Sequence, residues 1–408
     1  MNDAIKKFLD ENIKKTVKHT TEDSGNLLGL PYPYTTPCAS GDFQEIYYWD
    51  TYFTNAGLLL WGKADIVKNN IENMFFLIEK YGFMPNGNRT FYLNRSQPPF
   101  LSEMVKDLYN VTGDKAWLAR AYEVLKKEYD FWQNKRVTPT GLNGYTGHVL
   151  FEDVLERNYG YFLRRIGAKA KEEPTREDLL QAYYGGVASY ESGWDCSSRF
   201  LDKGNEFDMI DLNSLLYGME ENMRNFSLIL STGEEALWED RKSARKEKMA
   251  LLWNDERNLF MDRNFKTGKF SSYATVASFY PLYAKLATPD QAKKSLALFD
   301  KLNLKYGISA GEREGAFGCQ WDYPNVWAPM QFITYNALKN YGYDDKARIV
   351  AEKYVSLVEN NFAVTGNLWE KYNGNTGERS SLEYKAPPMI GWTAGVYIYF
   401  SNILSGDK

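Results

Sequence analysis

Four pairs of a tryptophan followed directly by an acid stand out as residues that could do chemistry. They are Trp49-Asp50, Trp194-Asp195, Trp321-Asp322 and Trp369-Glu370. Each lies in a stretch rich in Gly, Pro or Tyr, which predicts a position outside the middle of a helix. Glycosidic bond cleavage uses two carboxyl groups, one protonated to assist the leaving oxygen and one ionised to activate water. The pattern favours a carbohydrate site, although a helix-capping Asp beside a buried Trp has the same sequence.

A second polar cluster lies between Pro85 and Pro99. It contains three Asn, two Arg and one Gln around an Asn-Gly turn signal. Amide and guanidinium groups are the donors and acceptors that a polyhydroxylated ligand needs. The alternative is that these side chains only hold the turn together.

Composition argues against several other kinds of chemistry. The chain has two distant histidines, His19 and His148, so imidazole metal sites and Ser-His-Asp catalysis are disfavoured. A net charge of −4 disfavours nucleic-acid and anionic-membrane partners, which need a concentrated basic face. No apolar run reaches the roughly 20 residues of a membrane span. We therefore expect no nucleic-acid and no membrane partner.

The cysteines indicate a compartment. Cys38, Cys196 and Cys319 are odd in number and widely spaced, which predicts neither a disulfide framework nor a zinc site. The first residues show no secretory signal, although a signal could have been removed. We expect a cytoplasmic protein.

The elements that position these residues are predicted to be helices. Apolar residues recur at three- and four-residue spacing in five segments, which are 64–81, 114–135, 234–253, 289–302 and 344–361. Each follows a turn and opens with an acid, which complements the helix dipole. The mixed-charge stretch from Arg241 to Lys248 is expected to face solvent. Stretches 138–147, 262–272 and 373–388 are predicted loops or small hairpins.

The spacing of the helix starts predicts the architecture. The starts fall near 63, 114, 234, 290 and 344. If the long gap hides one unit, the period is roughly 55 residues, about the length of a helical hairpin. Six such hairpins in a ring form an all-α (α/α)6 toroid with a loop-built cavity. Because no linker interrupts the chain, we expect one catalytic domain over 1–408, with residues 1–35 as an extra helix and lead-in.

Several long motifs resemble those of the trehalases, glycoside hydrolase family 37. The block Gly41–Tyr52 resembles their first motif, and the run Gln320–Pro329 resembles their second. The loop Pro85–Pro99, the segment Glu191–Arg199 and the closing run Glu370–Thr393 resemble that family in the same order. The resemblance implies an (α/α)6 barrel, inversion at the anomeric carbon, and no metal or organic cofactor.

The resemblance also implies roles for individual residues. Asp195 matches the general acid and Glu370 the general base. Glu383 matches a glutamate on a lid-like loop. The substrate-binding residues that it implies are Phe43, Trp49, Asp50, Asn86, Arg95, Gln97, Glu173, Gly193, Gln320, Trp321 and Glu383.

The chain departs from the family pattern at several positions. Asp42 stands where the first motif has an arginine, and Lys171, shortly before Glu173, stands where another arginine is usual. The glycine run before the lid glutamate has become 374–381, and Val326 replaces a glycine. Losing a bidentate donor is not conservative. These departures leave the identity of the leaving sugar open.

We expect an inverting glycoside hydrolase that cleaves an α-glucosidic bond, most readily α,α-trehalose to glucose. Its partner would be a small carbohydrate, and the protein a monomer or weak homo-oligomer. One alternative is the same chemistry on another α-glucoside or α-mannoside, such as a glycosyl-glycerate, which Asp42 favours. Another is a sugar-binding protein without turnover. An epimerase on the same toroid would need histidine pairs that the chain lacks.

Overall fold

The computed structural model describes residues 1–147 and 150–406, so His148 lies outside the described residues. No helix in these ranges is long and apolar enough to cross a membrane. The helices are α1 (Asp3–Asn12), α2 (Tyr48–Leu60), α3 (Ala64–Tyr81), α4 (Leu101–Thr112), α5 (Lys115–Lys135), α6 (Leu155–Arg165), α7 (Arg176–Glu191), α8 (Ile210–Leu230), α9 (Glu235–Met249), α10 (Tyr280–Tyr283), α11 (Pro289–Leu302), α12 (Ala328–Asn340), α13 (Asp344–Thr365) and α14 (Gly391–Gly406).

The strands are short and pair in antiparallel twos. The pairs are β1 (Val17–Lys18) with β2 (Tyr34–Thr35), β3 (Phe207–Asp208) with β6 (Arg263–Asn264), β4 (Trp253–Asn254) with β5 (Leu259–Phe260), β7 (Asn303–Leu304) with β8 (Gly307–Ile308), and β9 (Asn325–Trp327) with β10 (Lys371–Asn373). In the last pair Lys371 lies opposite Trp327. This pairing brings the run after Gln320 beside Glu370.

The predicted helix starts are confirmed. Helices α3, α5, α9, α11 and α13 begin within one residue of the predicted positions. The long gap contains α7, where Thr175 and Asp178 form a reciprocal capping box. The long gap thus contains a helical hairpin, α6 and α7, but the inner ring described below is formed by other helices. The predicted loop stretches contain no helix.

Six helices of the described chain form a closed inner ring. Each helix in the order α2, α4, α8, α10, α12 and α14 contacts the next one, and α14 contacts α2. A Cβ built on Gly57 of α2 would lie 2.5 Å from the Cα of Gly395 in α14, so the two backbones touch and neither position has room for a side chain. The (α/α)6 toroid is confirmed.

Inner and outer helices differ in how they are buried. The inner helix α2 buries Trp49, Phe53 and Leu58 on different sides, whereas the outer helix α13 leaves much of its surface exposed. A helix that is apolar on all sides belongs inside a larger core, and an amphipathic helix belongs on the surface. The amphipathic pattern therefore identified outer helices.

The expectation for the mixed-charge stretch of α9 is wrong at one residue. Arg245 is buried, and its Nε donates to Glu220 Oε1 at 2.8 Å. Its Nη1 donates to the side-chain oxygens of Asn143 and Asn213. Arg245 lies on the side of α9 that packs on α8, where a buried acid provides its partner.

Candidate active site

The N-terminal ends of inner helices open onto a cavity of about 580 Å³. The cavity brings together both predicted catalytic acids and most of the predicted binding residues. The predicted residues that line it are Phe43, Trp49, Asp50, Asn86, Arg95, Gln97, Gly193, Asp195, Gln320, Trp321, Glu370 and Glu383. Three of the four tryptophan–acid pairs thus place their acid in one cavity.

The fourth pair has another role. Asp322 is fully buried and does not line the cavity. Its carboxylate accepts hydrogen bonds from Ser198 N at 2.9 Å, Ser198 Oγ at 2.6 Å and Cys319 N at 3.0 Å. Asp322 therefore joins the segment after Asp195 to the segment before Gln320. Trp49-Asp50 lies in the first turn of α2, outside the middle of the helix as predicted.

The expected position of Glu173 in the site is also wrong. Glu173 is exposed in the connection between α6 and α7, outside the cavity lining. Lys171 is exposed there too and pairs with Asp178 at 2.7 Å. Helix α6 ends before this connection, and its residues Tyr161 and Arg165 form that part of the wall. Asp42, at the other departure from the family pattern, is likewise exposed and outside the lining.

Asp195 follows the turn that ends α7. Gly193 in that turn has a φ of +74°, and a Cβ there would lie 2.7 Å from Cε2 of Trp49. Glycine therefore lets this segment pass against the Trp49 ring. Gln320 Nε2 donates to Asp195 O at 3.0 Å, and Cys196 N donates to Ser189 Oγ at 2.9 Å. These bonds fix the backbone on both sides of the carboxyl group.

A buried ion pair supports the segment that carries Arg95 and Gln97. Glu191, at the end of α7, pairs with Arg136 at 2.6 Å, and both side chains are fully buried. Glu191 also accepts from Ser96 N at 2.7 Å, which holds the segment carrying Arg95 and Gln97. Burial raises the pKa of Glu191, but the Arg136 guanidinium and backbone amides outweigh burial and hold this pKa below its ordinary value. Glu191 is therefore a charged anchor for two site segments.

Glu370 lies just before β10 and is buried. The Tyr384 hydroxyl contacts both of its carboxylate oxygens at 2.8 Å. Lys371 Nζ lies 3.4 Å from the centroid of the Tyr384 ring and donates to Leu382 O at 3.1 Å. Trp392 Nε1 donates to Glu370 O at 3.2 Å. A hydroxyl and a nearby cation both favour the ionised carboxylate.

The two acids interact electrostatically, because the charge of Asp195 raises the pKa of Glu370. Burial raises the pKa of Asp195 to about 6, against the guanidinium groups of Arg165 and Arg95. Burial also raises the pKa of Glu370, against Lys371 and the Tyr384 hydroxyl. Within the described ranges, no hydrogen bond joins the two carboxyl groups. Because both shifts have the same direction, the hydrogen bonds distinguish the two acids better than their pKa values do.

Aromatic rings and one arginine complete the wall. Trp321 stacks on Trp327 with centroids 4.0 Å apart and is tilted against Trp49 at 5.5 Å. Arg95 lies between the rings of Tyr92 and Tyr190, at 4.9 and 5.2 Å, and its Nε donates to Asn86 Oδ1 at 2.9 Å. Flat rings beside fixed polar groups suit a sugar, which has apolar ring faces and polar edges.

Sequence reasoning missed some lining residues. They are Tyr47, Tyr92, Tyr161, Arg165, Trp327, Tyr384, Met389 and Trp392. Several lie inside the motif runs, and Tyr384 directly follows Glu383. Their positions in those runs could therefore have identified them as lining residues. Tyr161 and Arg165 lie in no recognised motif. No group of three or more His, Cys, Asp or Glu residues suited to a metal ion occurs in the described part of the chain.

Comparisons with known sequences agree in pointing to one family. The sequence model of the family described as Trehalase matches residues 1–405. The periplasmic trehalase of Xanthomonas axonopodis pv. citri is 34% identical over 406 residues, which cover 93% of this chain and 70% of that protein. The periplasmic trehalase of Citrobacter koseri is 34% identical over 417 residues, covering 94% and 71%.

Solved structures show the same architecture. The neutral trehalase Nth1 from Saccharomyces cerevisiae superposes with a TM-score of 0.79 at 29% identity, covering 92% of this chain and 77% of that one. A mannosylglycerate hydrolase from Thermus thermophilus gives a TM-score of 0.67 at 14% identity, covering 97% and 99%. The second similarity shows a shared fold.

Proposed function

This chain belongs to the trehalase family, so it is a glycoside hydrolase that hydrolyses trehalose, and we propose that Asp195 and Glu370 are its general acid and general base. One observation carries the proposal. The two acids line a single cavity from different segments, and among the described residues they share no hydrogen bond. An inverting hydrolase needs its carboxyl groups about 6.5–9.5 Å apart, so that water fits between base and substrate.

The reaction follows from these positions. Asp195 in its protonated form gives its proton to the oxygen between the two glucose units, and the bond from that oxygen to the anomeric carbon breaks. Glu370 in its ionised form removes a proton from water, whose oxygen attacks the same carbon from the opposite face. The glucose that water attacks is released as the β anomer, and the leaving glucose keeps its α configuration. NMR of the first product formed distinguishes this result from retention.

Neighbouring groups support these roles. Asp50, Asn86, Arg95 and Gln97 would hold the hydroxyls of the glucose that is cleaved, from α2 and the 85–99 loop. Burial of Asp195 favours its proton-carrying form. In Glu370 burial raises the pKa, and Lys371 and the Tyr384 hydroxyl offset part of that rise, which favours the ionised form that the base needs.

Two substitutions test the roles. Asp195→Asn and Glu370→Gln are each expected to lower kcat for trehalose by about 100-fold or more. The matched control is Glu152→Gln, which neutralises an exposed carboxylate outside the cavity and should leave kcat near the wild-type value. A loss of only a few-fold in correctly folded Asp195→Asn or Glu370→Gln would remove the assignment.

We also propose that the protein acts as a monomer or weak homo-oligomer in the cytosol. Both proposed catalytic acids and the proposed binding residues line one cavity of a single chain. Cys38, Cys196 and Cys319 are buried free thiols, as suits a reducing compartment. Light scattering after gel filtration tests the first statement, and fractionation of the source cells tests the second. An oligomer that persists on dilution below assay concentration, or activity in the periplasmic fraction, would contradict them.

A further inference from the structure

Helix α6 is fixed against the segments that carry the catalytic acid and its neighbour Gln320. Phe162 and Ile166 pack in one apolar cluster with Cys196 and Cys319. The Cys319 thiol also lies 3.5 Å from Arg165 O, in hydrogen-bond geometry. The end of α6 is therefore fixed beside Asp195, although no sequence motif marks it.

Arg165 presents unused donors to the cavity. Its Nε donates to Glu383 Oε1 at 2.6 Å, and Glu383 Oε2 accepts from Gln320 N at 2.9 Å. The terminal nitrogens Nη1 and Nη2 of Arg165 make no hydrogen bond to any described residue. By contrast, Arg95 uses both Nε and Nη1 on Asn86 and Asn94. Arg165 thus offers a guanidinium edge beside a carboxylate that can accept a further bond.

Burial distinguishes the inner end of the cavity from its mouth. Asn86 and Gln97 are 4% and 6% exposed, as expected for residues that enclose the glucose being cleaved. Tyr161, one turn before Arg165 on α6, is 49% exposed. The side chains of Arg165 and Glu383 are 17% and 15% exposed. The α6 wall is therefore at the mouth, on the side where the leaving sugar must exit past Asp195.

We propose that Arg165, paired with Glu383, binds the leaving glucose at the mouth of the cavity. This inference rests on the proposed function. The free guanidinium edge would donate to one hydroxyl, and the Glu383 carboxylate would accept from a neighbouring hydroxyl. Arg165 thus supplies a cationic donor that the exposed Lys171 does not supply.

The test compares two substrates that share the cleaved glucose. Trehalose has a leaving sugar, whereas α-D-glucosyl fluoride leaves a small ion that departs without a proton from Asp195. Arg165→Gln is expected to lower kcat/KM for trehalose by about 10- to 100-fold, since it removes a charged hydrogen-bond donor. For the fluoride the loss should stay within about threefold, because no contact to a leaving sugar exists to be lost. For trehalose, Arg165→Lys should give a kcat/KM between those of wild type and Arg165→Gln, since lysine keeps the charge but lacks the forked donors of the guanidinium.

Controls separate this inference from the catalytic assignment. Arg164→Gln alters the exposed neighbour on α6 and should leave both substrates near wild-type rates. Glu370→Gln should lose activity on both substrates. Asp195→Asn should lose far more activity on trehalose than on the fluoride. If Arg165→Gln lowers kcat/KM equally for both substrates, or for neither, the proposal for Arg165 is overturned. The roles of Asp195 and Glu370 are tested separately, by the variants of those two residues.

Discussion

The Tyr384 hydroxyl lies 2.8 Å from each carboxylate oxygen of Glu370, so one side chain of the 374–388 segment contacts both sides of the proposed base. The same segment carries Glu383, which pairs with Arg165. Two adjacent residues therefore bridge the base on one side and the α6 wall on the other. The orientation of the base depends on how this segment is seated.

Tyr384→Phe should lower the fraction of Glu370 that is ionised at acidic pH. The hydroxyl lowers the pKa of Glu370, so its loss raises that pKa. Since Glu370 must be ionised to act, the acidic limb of the kcat/KM–pH profile should move to higher pH. A lost hydrogen bond to a charged group costs about 1.5–3 kcal/mol, which corresponds to a fall in kcat/KM of about 10- to 150-fold. The matched control is Tyr32→Phe at the surface, and an acidic limb identical to wild type would contradict the prediction.

The wild-type pH profile should be a narrow bell in the weakly acidic range. Asp195 must be protonated and has a pKa of about 6, so activity is lost as pH rises through that value. Glu370 must be ionised and has a pKa raised above its ordinary 4.5, so activity is lost as pH falls through the raised value. Initial rates at low trehalose concentration measure kcat/KM across pH. A profile that is flat up to pH about 8 would contradict the role of Asp195.

Removing Arg165 should move one limb of that bell. The groups that act on Asp195 include Arg165 and Arg95, which lower its pKa, and Glu383, which raises it. Arg165→Gln should therefore raise the pKa of Asp195 and shift the alkaline limb to higher pH. Glu383→Gln removes an opposing charge and should shift the limb to lower pH. Equal shifts in one direction would show that the variants act by disturbing structure.

Gly193→Ala should damage the site locally. A Cβ there would lie 2.7 Å from the Trp49 ring, and the φ of +74° is strained for alanine. We expect a loss of about 1–3 kcal/mol in unfolding free energy and a large fall in kcat for trehalose. Gly160→Ala is the matched control, because a Cβ in that part of α6 meets nothing within 4 Å. The control should be neutral or slightly stabilising, and equal effects of the two variants would contradict the prediction.

Glu191→Gln should destabilise the whole protein. It leaves the buried Arg136 without a charged partner, which costs about 3–5 kcal/mol. Because the folded-state pKa of Glu191 is lowered, its contribution is present above the ordinary pKa of 4.5 and is lost as pH falls through the folded value. Urea unfolding at neutral and acidic pH measures both effects. Glu152→Gln breaks an exposed pair with Arg176 and should cost less than about 1 kcal/mol.

The sequence predicted the outer helices better than the inner ones, for a physical reason. Helix α11 has one apolar face, so its bounds follow from periodicity and from the Thr288 cap. Helix α14 buries residues all around, from Trp392 to Phe400, so it has little periodicity to detect. The ring of inner helices was reached from the repeat length and from motif resemblance.

Site residues inside sequence motifs were predicted better than those outside them. Residues inside long motifs, such as Asp50 and Gln320, lie in the cavity as predicted. Glu173 does not, because its placement depended on alignment through a connection that runs outside the wall. Arg165 could not be predicted, since its position depends on Phe162 packing near Cys196 across the fold. Such contacts between distant segments leave no local pattern.

The contact between Gly57 and Gly395 also has a consequence for biosynthesis. Helix α2 is synthesised early and α14 late, yet both line the cavity, α2 with the side chain of Trp49 and α14 with that of Trp392. The toroid therefore closes only after α14 has left the ribosome, and nascent chains that lack it should release no glucose from trehalose.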